Sequence, residues 1–345
     1  MGATTIPKEF TGIPKGYPEK ISRDEIEKRF KSLLGEFVEP SCPLNLHITD
    51  EVELNGGVIR QRMEYEVEIG EIVSAFHLFK KDLPEGAPGI LSIHSHGGEG
   101  MFPVGKSFHC KPDASDPTQY SYITALQGFR VLAPDSLCFG ERHAQWGYST
   151  CFFDEICAHC ELTSRGKSLA WKSIWDNSRA IEALEQLGSC SIGTIGWSGG
   201  STQAYILASV NKRVKATACF FSFMTLRHQF YQYRLAHCLY HYIPEMIKVG
   251  IDWDQVVSLI PPRKIFLGWG VKDEGTPEPM YRAFCEAIKL IDEKSLTVFE
   301  EHDRGHEITM PMLASALEFL RQSLFMTEKD NGVKCEGSCM LESSA

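Results

Sequence analysis

Residues 196–200, Gly-Trp-Ser-Gly-Gly, close the apolar run 191–196. They open onto residues 201–210 (STQAYILASV), whose apolar side chains recur at helical spacing. Such a join forces the chain from a strand into a helix through one sharp turn. The turn holds Ser198 in a conformation that side chains rarely adopt, and glycines beside it keep bulk off the adjoining strand and helix. In this context G-x-S-x-G reads as a nucleophile elbow, which lifts a serine hydroxyl clear of the backbone.

Around that turn the chain alternates between strand and helix patterns. Apolar strand candidates lie at 89–95, 129–134, 192–196, 214–222, 264–270 and 295–300, and helical spacing marks 120–127, 167–187, 199–210, 278–291 and 309–324. This alternation predicts an α/β fold, a mostly parallel central sheet with helices on both faces. Before it, residues 57–81 read as two antiparallel strands split at Gly70, with Met63, Tyr65 and Val67 alternating. Earlier still, Ser22-Arg-Asp-Glu25 has capping-box spacing, and Ile26, Phe30, Leu33 and Leu34 share one face, so a helix is predicted over 22–37.

The chain thus divides into an N-terminal extension with a helix (1–50), a main domain (51–327) and a polar, flexible tail (328–345). Two stretches break the alternation. Residues 140–165 are polar and aromatic, and residues 225–262 are aromatic-rich with His228, His237 and His241. Insertions after strand C-termini overhang the site in open α/β sheets, so both are candidates for lid and substrate pocket.

Length and charge bound the function. A chain of 345 residues can bury a large core. Its net charge of −10 argues against nucleic acid or anionic lipid as a partner. The longest apolar run, near 216–224, is too short to span a bilayer, and the start MGATTIPKEF carries no signal-peptide pattern. Of twelve cysteines, Cys219 and Cys285 lie in apolar, regular segments, which points to free thiols and a cytoplasmic location. Cys157-Ala-His-Cys160 is a lone C-x-x-C with no second pair at zinc spacing, so no metal is expected. The N-terminal helix is a candidate packing arm between copies of the chain.

A serine hydroxyl needs a base, and the base needs an orienting acid. When the serine sits on an elbow of this kind, acid and then histidine follow it in the chain, each in a loop after a later strand. Asp273 comes just after the strand KIFLGWG, and His306 comes after the strand pattern at 295–300 and before the last helix. Glu274 is adjacent to Asp273 but would point differently. His302 lies nearer its strand end, whereas His306 follows a glycine that frees the turn. Asp135 precedes the serine in the chain, which suits a structural or pocket role. The tetrahedral intermediate needs backbone N–H donors. Gly199 is one candidate, and the segment 94–98 (His-Ser-His-Gly-Gly) supplies the other in one of two registers, at His96 or at Gly98.

With these residues assembled, the chain resembles the α/β-hydrolase superfamily over residues 88–324. More narrowly it is similar to the branch that holds acetyl xylan esterases, cephalosporin deacetylases and dienelactone-hydrolase-like proteins. Beyond the triad, the likeness rests on Ala133-Pro-Asp135 with Phe139-Gly-Glu-Arg142, on Trp175-Asp176, and on Pro261-Pro-Arg263. The resemblance implies that His94-Ser95-His96 matches a His-Gly-aromatic-or-His pattern, which favours His96 over Gly98 as the oxyanion donor; Ser95 stands where that pattern has glycine. It also implies structural roles for the Trp175-Asp176 and Pro-Arg pairs. The serine nucleophile differs from the cysteine of true dienelactone hydrolases, so that activity is not expected.

The expectation is therefore a serine hydrolase of carboxylic esters with small acyl groups such as acetyl, without metal or cofactor, acting on a small-molecule ester. A peptidase or thioesterase on the same triad, or a hydrolase-fold receptor with little turnover, are the rivals. The aromatics Phe230, Tyr231, Tyr233, Tyr240 and Tyr242 read equally well as a stacking surface for substrate and as lid core.

Overall fold

The structure, a computed structural model, describes residues 16–35, 42–96, 105–143, 151–233 and 238–325. The end of the first predicted helix beyond residue 35, Gly98, His237 and the tail at 328–345 lie outside these residues.

Strands β1 (His47–Leu54), β2 (Val58–Glu68) and β3 (Glu71–Lys80) form an antiparallel meander. Next come β4 (Gly89–Ile93), β5 (Arg130–Pro134), β6 (Ile192–Trp197), β7 (Val214–Phe220), β8 (Lys264–Gly270) and β9 (Leu296–Glu301). These pair in parallel, and β3 joins the meander to them by antiparallel pairing with β5. The described residues thus build one sheet in the order β1-β2-β3-β5-β4-β6-β7-β8-β9. β4, β6 and β7 are near-continuously buried, as expected for parallel strands covered on both faces.

The helices are α1 (Arg23–Leu34), α2 (Tyr120–Leu126), α3 (Cys151–Ser164), α4 (Leu169–Gln186), α5 (Gly199–Val210), the single turn α6 (Leu226–His228), α7 (Trp253–Val257), α8 (Glu278–Asp292) and α9 (Met310–Leu324). Strand order steps back from β4 to β5 and then forward through β6 to β9. Right-handed crossovers therefore put α2 on one face and α4, α5 and α8 on the other. α9 returns to the α2 face, where Arg321 donates to the Gln127 carbonyl at 3.0 Å. The chain reverses its strand order between β4 and β6, which sets the elbow at the switch point where such sheets carry their sites.

Three local features depart from the sequence reading. β1 is an edge strand exposed almost throughout, and in its HITDEVEL sequence Asp50 interrupts the short alternation of Ile48, Val52 and Leu54. The polar stretch 140–165 contains the fourteen-residue helix α3. At α1, Ser22 Oγ accepts from the Glu25 N–H at 3.3 Å, but the Glu25 carboxylate bonds Arg29 at 2.9 Å, so only one half of the capping box is made.

The apolar face of α1, the candidate packing arm, is covered within the chain. Ile26, Phe30 and Leu34 are buried, the Phe30 ring meets Trp253 edge-on at 5.8 Å, and Arg29 donates to the Val249 carbonyl at 2.6 Å. Among the described residues no helix is long and apolar enough to cross a membrane.

Behind the site lies a buried ionic lattice. Asp135, ending β5, accepts from the Lys106 N–H at 2.7 Å and the Glu141 N–H at 2.9 Å, and pairs with the buried Lys106 ammonium. Lys106 also reaches Glu141 at 2.6 Å, and Glu141 meets Arg62. Arg142 joins Asp135 to α4 by donating to Asp176 at 2.8 Å, and Lys172 closes the set on Asp176 and Glu71. The hydrogen bond from Arg62, with Lys106 beside it, holds the Glu141 carboxyl down at about 2. Asp135, Glu141, Arg142 and Asp176 are thus the anchors of one lattice, and Arg263 likewise acts structurally by capping the carbonyls of Asn211 and Val214 at 3.1 and 3.2 Å.

Gly140 tests how tightly this lattice is drawn. It has φ +54°, and a Cβ there would overlap the Asp135 carboxylate. Gly128 also has positive φ (+86°) but has open space where a Cβ would go. Gly140→Ala should cost about 3 kcal/mol or more, against about 1 kcal/mol for Gly128→Ala. Urea unfolding midpoints compare the two, and equal losses would refute a packing cost specific to Gly140.

Candidate active site

The elbow owes its shape to backbone contacts that only glycine permits. A Cβ on Gly200 would overlap the Ile93 carbonyl at the end of β4, and one on Gly196 would overlap the Gly200 carbonyl. The start of α5 is thereby drawn against β4. Ser198 spans the turn at φ +56°, ψ −119°, with its N–H on the Phe220 carbonyl of β7 at 2.9 Å. Such a backbone is costly for a residue with a side chain, and here the strand pairings on either side impose it.

Asp273 and His306 meet. His306 Nδ1 lies 3.1 Å from both carboxylate oxygens of Asp273, whose side chain is fully buried. The Gly275 N–H donates to the same carboxylate at 2.9 Å. Burial alone would raise the Asp273 carboxyl, but His306, the Thr276 hydroxyl and the Gly275 N–H together hold it below the ordinary carboxylate value. Thr276 is itself fixed, since its hydroxyl accepts from the Ser222 N–H at 2.8 Å. Glu274 and His302, the competing candidates, are both exposed.

The His306 ring faces the elbow. It lies 4.9 Å from the ring of Phe221 and 6.2 Å from that of Trp197, the residue before Ser198. Phe221 immediately follows the Phe220 carbonyl that receives the Ser198 N–H. Serine, histidine and aspartate thus stand at the C-terminal ends of β6, β9 and β8, with β7 between the serine's strand and the other two.

His96 comes to the other side of the turn. Its ring abuts Gly199 so closely that a Cβ on Gly199 would overlap Nδ1 and Cε1. The two residues read as oxyanion donors are therefore neighbours in space. The approach to His96 is pinned by two neutral, buried imidazoles. His94 Nε2 accepts from the Ser136 N–H at 3.0 Å, and His109 Nε2 accepts from the Ser95 N–H at 3.2 Å. Burial lowers both rings, His109 to about 3, so each stays an acceptor.

The sequence reading missed Glu155 and His109. Glu155, on α3, reaches His96 Nε2 at 2.8 Å, and His109, 14 residues after Ser95, holds its N–H. No spacing rule links Glu155 to His96, and nothing in the local pattern marks His109; the one usable signal was that residues 140–165 break the strand–helix alternation after β5.

The aromatics of the 225–262 insertion divide. Tyr240 is buried and stacks on His96 at 5.8 Å. Phe230 and Tyr242, 5.8 Å apart, line a cleft of about 650 Å³ with His159, Ile243 and Met246. The side chains of Tyr231 and Tyr233 lie outside the described set. Cys157 and Cys160 are exposed on α3.

Comparison with known proteins places this architecture. No family model matches the chain. Bacillus subtilis (strain 168) YtaP, a protein named as a hydrolase, is 27% identical over 283 residues, covering 80% of this chain and 88% of its own. Among solved structures, acetyl xylan esterase 1 from Thermoanaerobacterium sp. JW/SL YS485 superposes with a TM-score of 0.61 at 14% identity, over 92% of this chain and 98% of that one. A glucuronoyl esterase from Solibacter usitatus gives 0.58 at 14% identity, over 91% and 99%.

The depressed Asp273 carboxyl predicts a pH signature. Because its folded value lies below the unfolded one, it contributes stability that is present above about pH 4 and lost as pH falls through the folded value. The stability gap between wild type and Asp273→Asn should therefore narrow below about pH 4. Denaturant titrations of both proteins at several pH values measure it; a gap that is constant with pH would show that the charge plays no part. With its parallel sheet, its glycine-built elbow at the switch point and these structural likenesses, the chain has the α/β-hydrolase fold.

Proposed function

We propose that this protein is a serine hydrolase of carboxylic esters, with small acyl groups such as acetyl as its preferred cargo. The observation that carries the reading is the His306 ring, held by buried Asp273 at 3.1 Å and turned toward the strained elbow of Ser198. A histidine that keeps one ring nitrogen on a carboxylate has the other available as a base. Support also comes from the names of the similar proteins, a hydrolase and esterases that act on acetyl xylan and glucuronoyl esters.

In this reading Ser198 Oγ bonds to the ester carbonyl carbon while its proton passes to His306 Nε2. The carbonyl oxygen becomes an oxyanion, met by the N–H groups of Gly199 and His96. His306 returns the proton to the departing alkoxide, which leaves as the alcohol. Water then gives a proton to His306 and attacks the acyl-enzyme, releasing the acid and restoring the serine. Asp273 fixes the imidazole tautomer throughout. A reducing compartment such as the cytoplasm suits a chain with buried thiols at Cys219, Cys238 and Cys285.

Steady-state hydrolysis of p-nitrophenyl acetate, butyrate and octanoate tests the proposal. Turnover should be fastest with acetate and fall by about 10⁴-fold or more in Ser198→Ala. Wild-type rates no better than those of the variant would overturn the ester reading and move the search to thioesters and peptides.

A further inference from the structure

Helix α3 packs on α4 and on the segment around residue 240, and it carries a carboxylate into the molecule. Glu155 is 1% exposed, and its Oε1 lies 2.8 Å from His96 Nε2. Taking a carboxylate out of water costs several kcal/mol unless a cation and hydrogen bonds receive it. The histidine ring is the group placed to do so. Its far edge lies on Gly199, in the first turn of α5. Phe139 at 5.3 Å and Tyr240, stacked at 5.8 Å, enclose its faces, and Cys238 Sγ lies 3.9 Å from Nε2.

The arrangement repeats, on the opposite side of Ser198, the relation between Asp273 and His306. One carboxylate–histidine pair faces the nucleophile from the β8 and β9 loops. The other faces the residue after it, and its carboxylate comes from an insertion. We propose that Glu155 is a positioning residue for the oxyanion side of the site: it holds the His96 ring as an imidazolium, with Nε2–H on the carboxylate and the Nδ1–Cε1 edge packed against Gly199. This inference deepens the ester-hydrolase reading and rests on it.

Two consequences follow for catalysis. The ring fixes the spacing between the backbones of His96 and Gly199, where the oxyanion would bind. It also sets a positive charge nearer to that oxygen than the compensating Glu155 carboxylate. Both act where charge develops in the transition state, so the effect belongs in kcat rather than KM. The groups facing the ring are Glu155 from α3, Cys238 and Tyr240 from the second insertion, and His94 just after β4, with Cys138 behind Tyr240. Burial would lower the His96 imidazole, but Glu155 and then Cys238 hold it well above the ordinary histidine range. A raised value means that the charge is present at neutral pH and is lost only as pH rises through it.

Glu155→Gln keeps an acceptor for Nε2–H and removes the charge, whereas Glu155→Asp keeps the charge on a shorter arm. With p-nitrophenyl acetate, kcat per site labelled by a fluorophosphonate should fall about 10- to 100-fold in the Gln variant, with KM changed less than about threefold. The alkaline decline of kcat should move to lower pH in Glu155→Gln and stay near its wild-type position in Glu155→Asp. A Gln variant with wild-type kcat and pH profile overturns the proposal. So does a loss of kcat equal in both variants with the pH profile unmoved, which is the mark of a merely structural helix contact. Should the Gln variant fail to fold, ¹⁵N spectra of wild-type histidine rings still decide. Two protonated ring nitrogens on His96 at neutral pH are expected, and a neutral ring refutes the assignment. Wild type without Ser198-dependent turnover would sink the ester-hydrolase reading itself, whereas an active wild type with indifferent Glu155 variants sinks this inference alone.

Discussion

The Gly200 backbone lies directly beneath the carbonyl of Ile93, and the rest of the site hangs on that contact. It draws the start of α5 against β4, so the chain must leave β6 through a turn that Ser198 can span only with positive φ. The strain is local, but what holds it is distributed. The parallel pairings of β6 with β4 and β7 fix the strand, and the Ser198 N–H on Phe220 fixes the turn. The same closeness leaves room at Gly199 only for the His96 ring, so one packing constraint places the serine and the region beside it together.

Beneath the turn, charge does what apolar packing does elsewhere. Lys106 is almost fully buried between Asp135 and Glu141, and Arg142 between Asp176 and Glu71. Breaking such pairs leaves a charge uncompensated in low dielectric, which makes the lattice intolerant of local change. It joins the loop after β5 to β3 and α4, and so holds the floor on which the His94–His96 segment rests. Asp135, Glu141, Arg142 and Asp176, on which the resemblance to acetyl xylan esterase-like proteins rests, thus keep the loop ends in place.

The two insertions converge from distant parts of the chain. α3 brings Glu155 to one edge of His96, and the segment around residue 240 lays Tyr240 against its face. One turn further along α3, His159 reaches the cleft that Tyr242 and Phe230 line. Both insertions therefore meet at the His96 ring beside the elbow, and the second is tied to α5 as well through His241, which meets Thr202 and Tyr205.

Much of this was legible in one dimension because it follows from local rules. A glycine-flanked serine at a strand-to-helix join, strands and helices in alternation, and an acid and a histidine each placed after a later strand are periodicities and spacings that a chain carries in itself. The paired strands at 57–81 and the major helices of the core were readable for the same reason. β1 was not, because Asp50 breaks the short alternation of Ile48, Val52 and Leu54 in an edge strand exposed almost throughout. α3 was not, because its helix is held by contacts to other segments rather than by a clear apolar stripe. The sequence by itself determined the α/β class, the elbow and the identity of Asp273 and His306 as partners in order. Only the tertiary structure decided that His96 rather than some other loop residue lies on Gly199, that Glu155 meets it, and that Tyr240 and Tyr242 serve different surfaces. The contacts of Gly199, Glu155 and Tyr240 with His96 join residues 59 or more positions apart, and no propensity or period reaches across such a distance; the sheet brings these loops to one end of the fold.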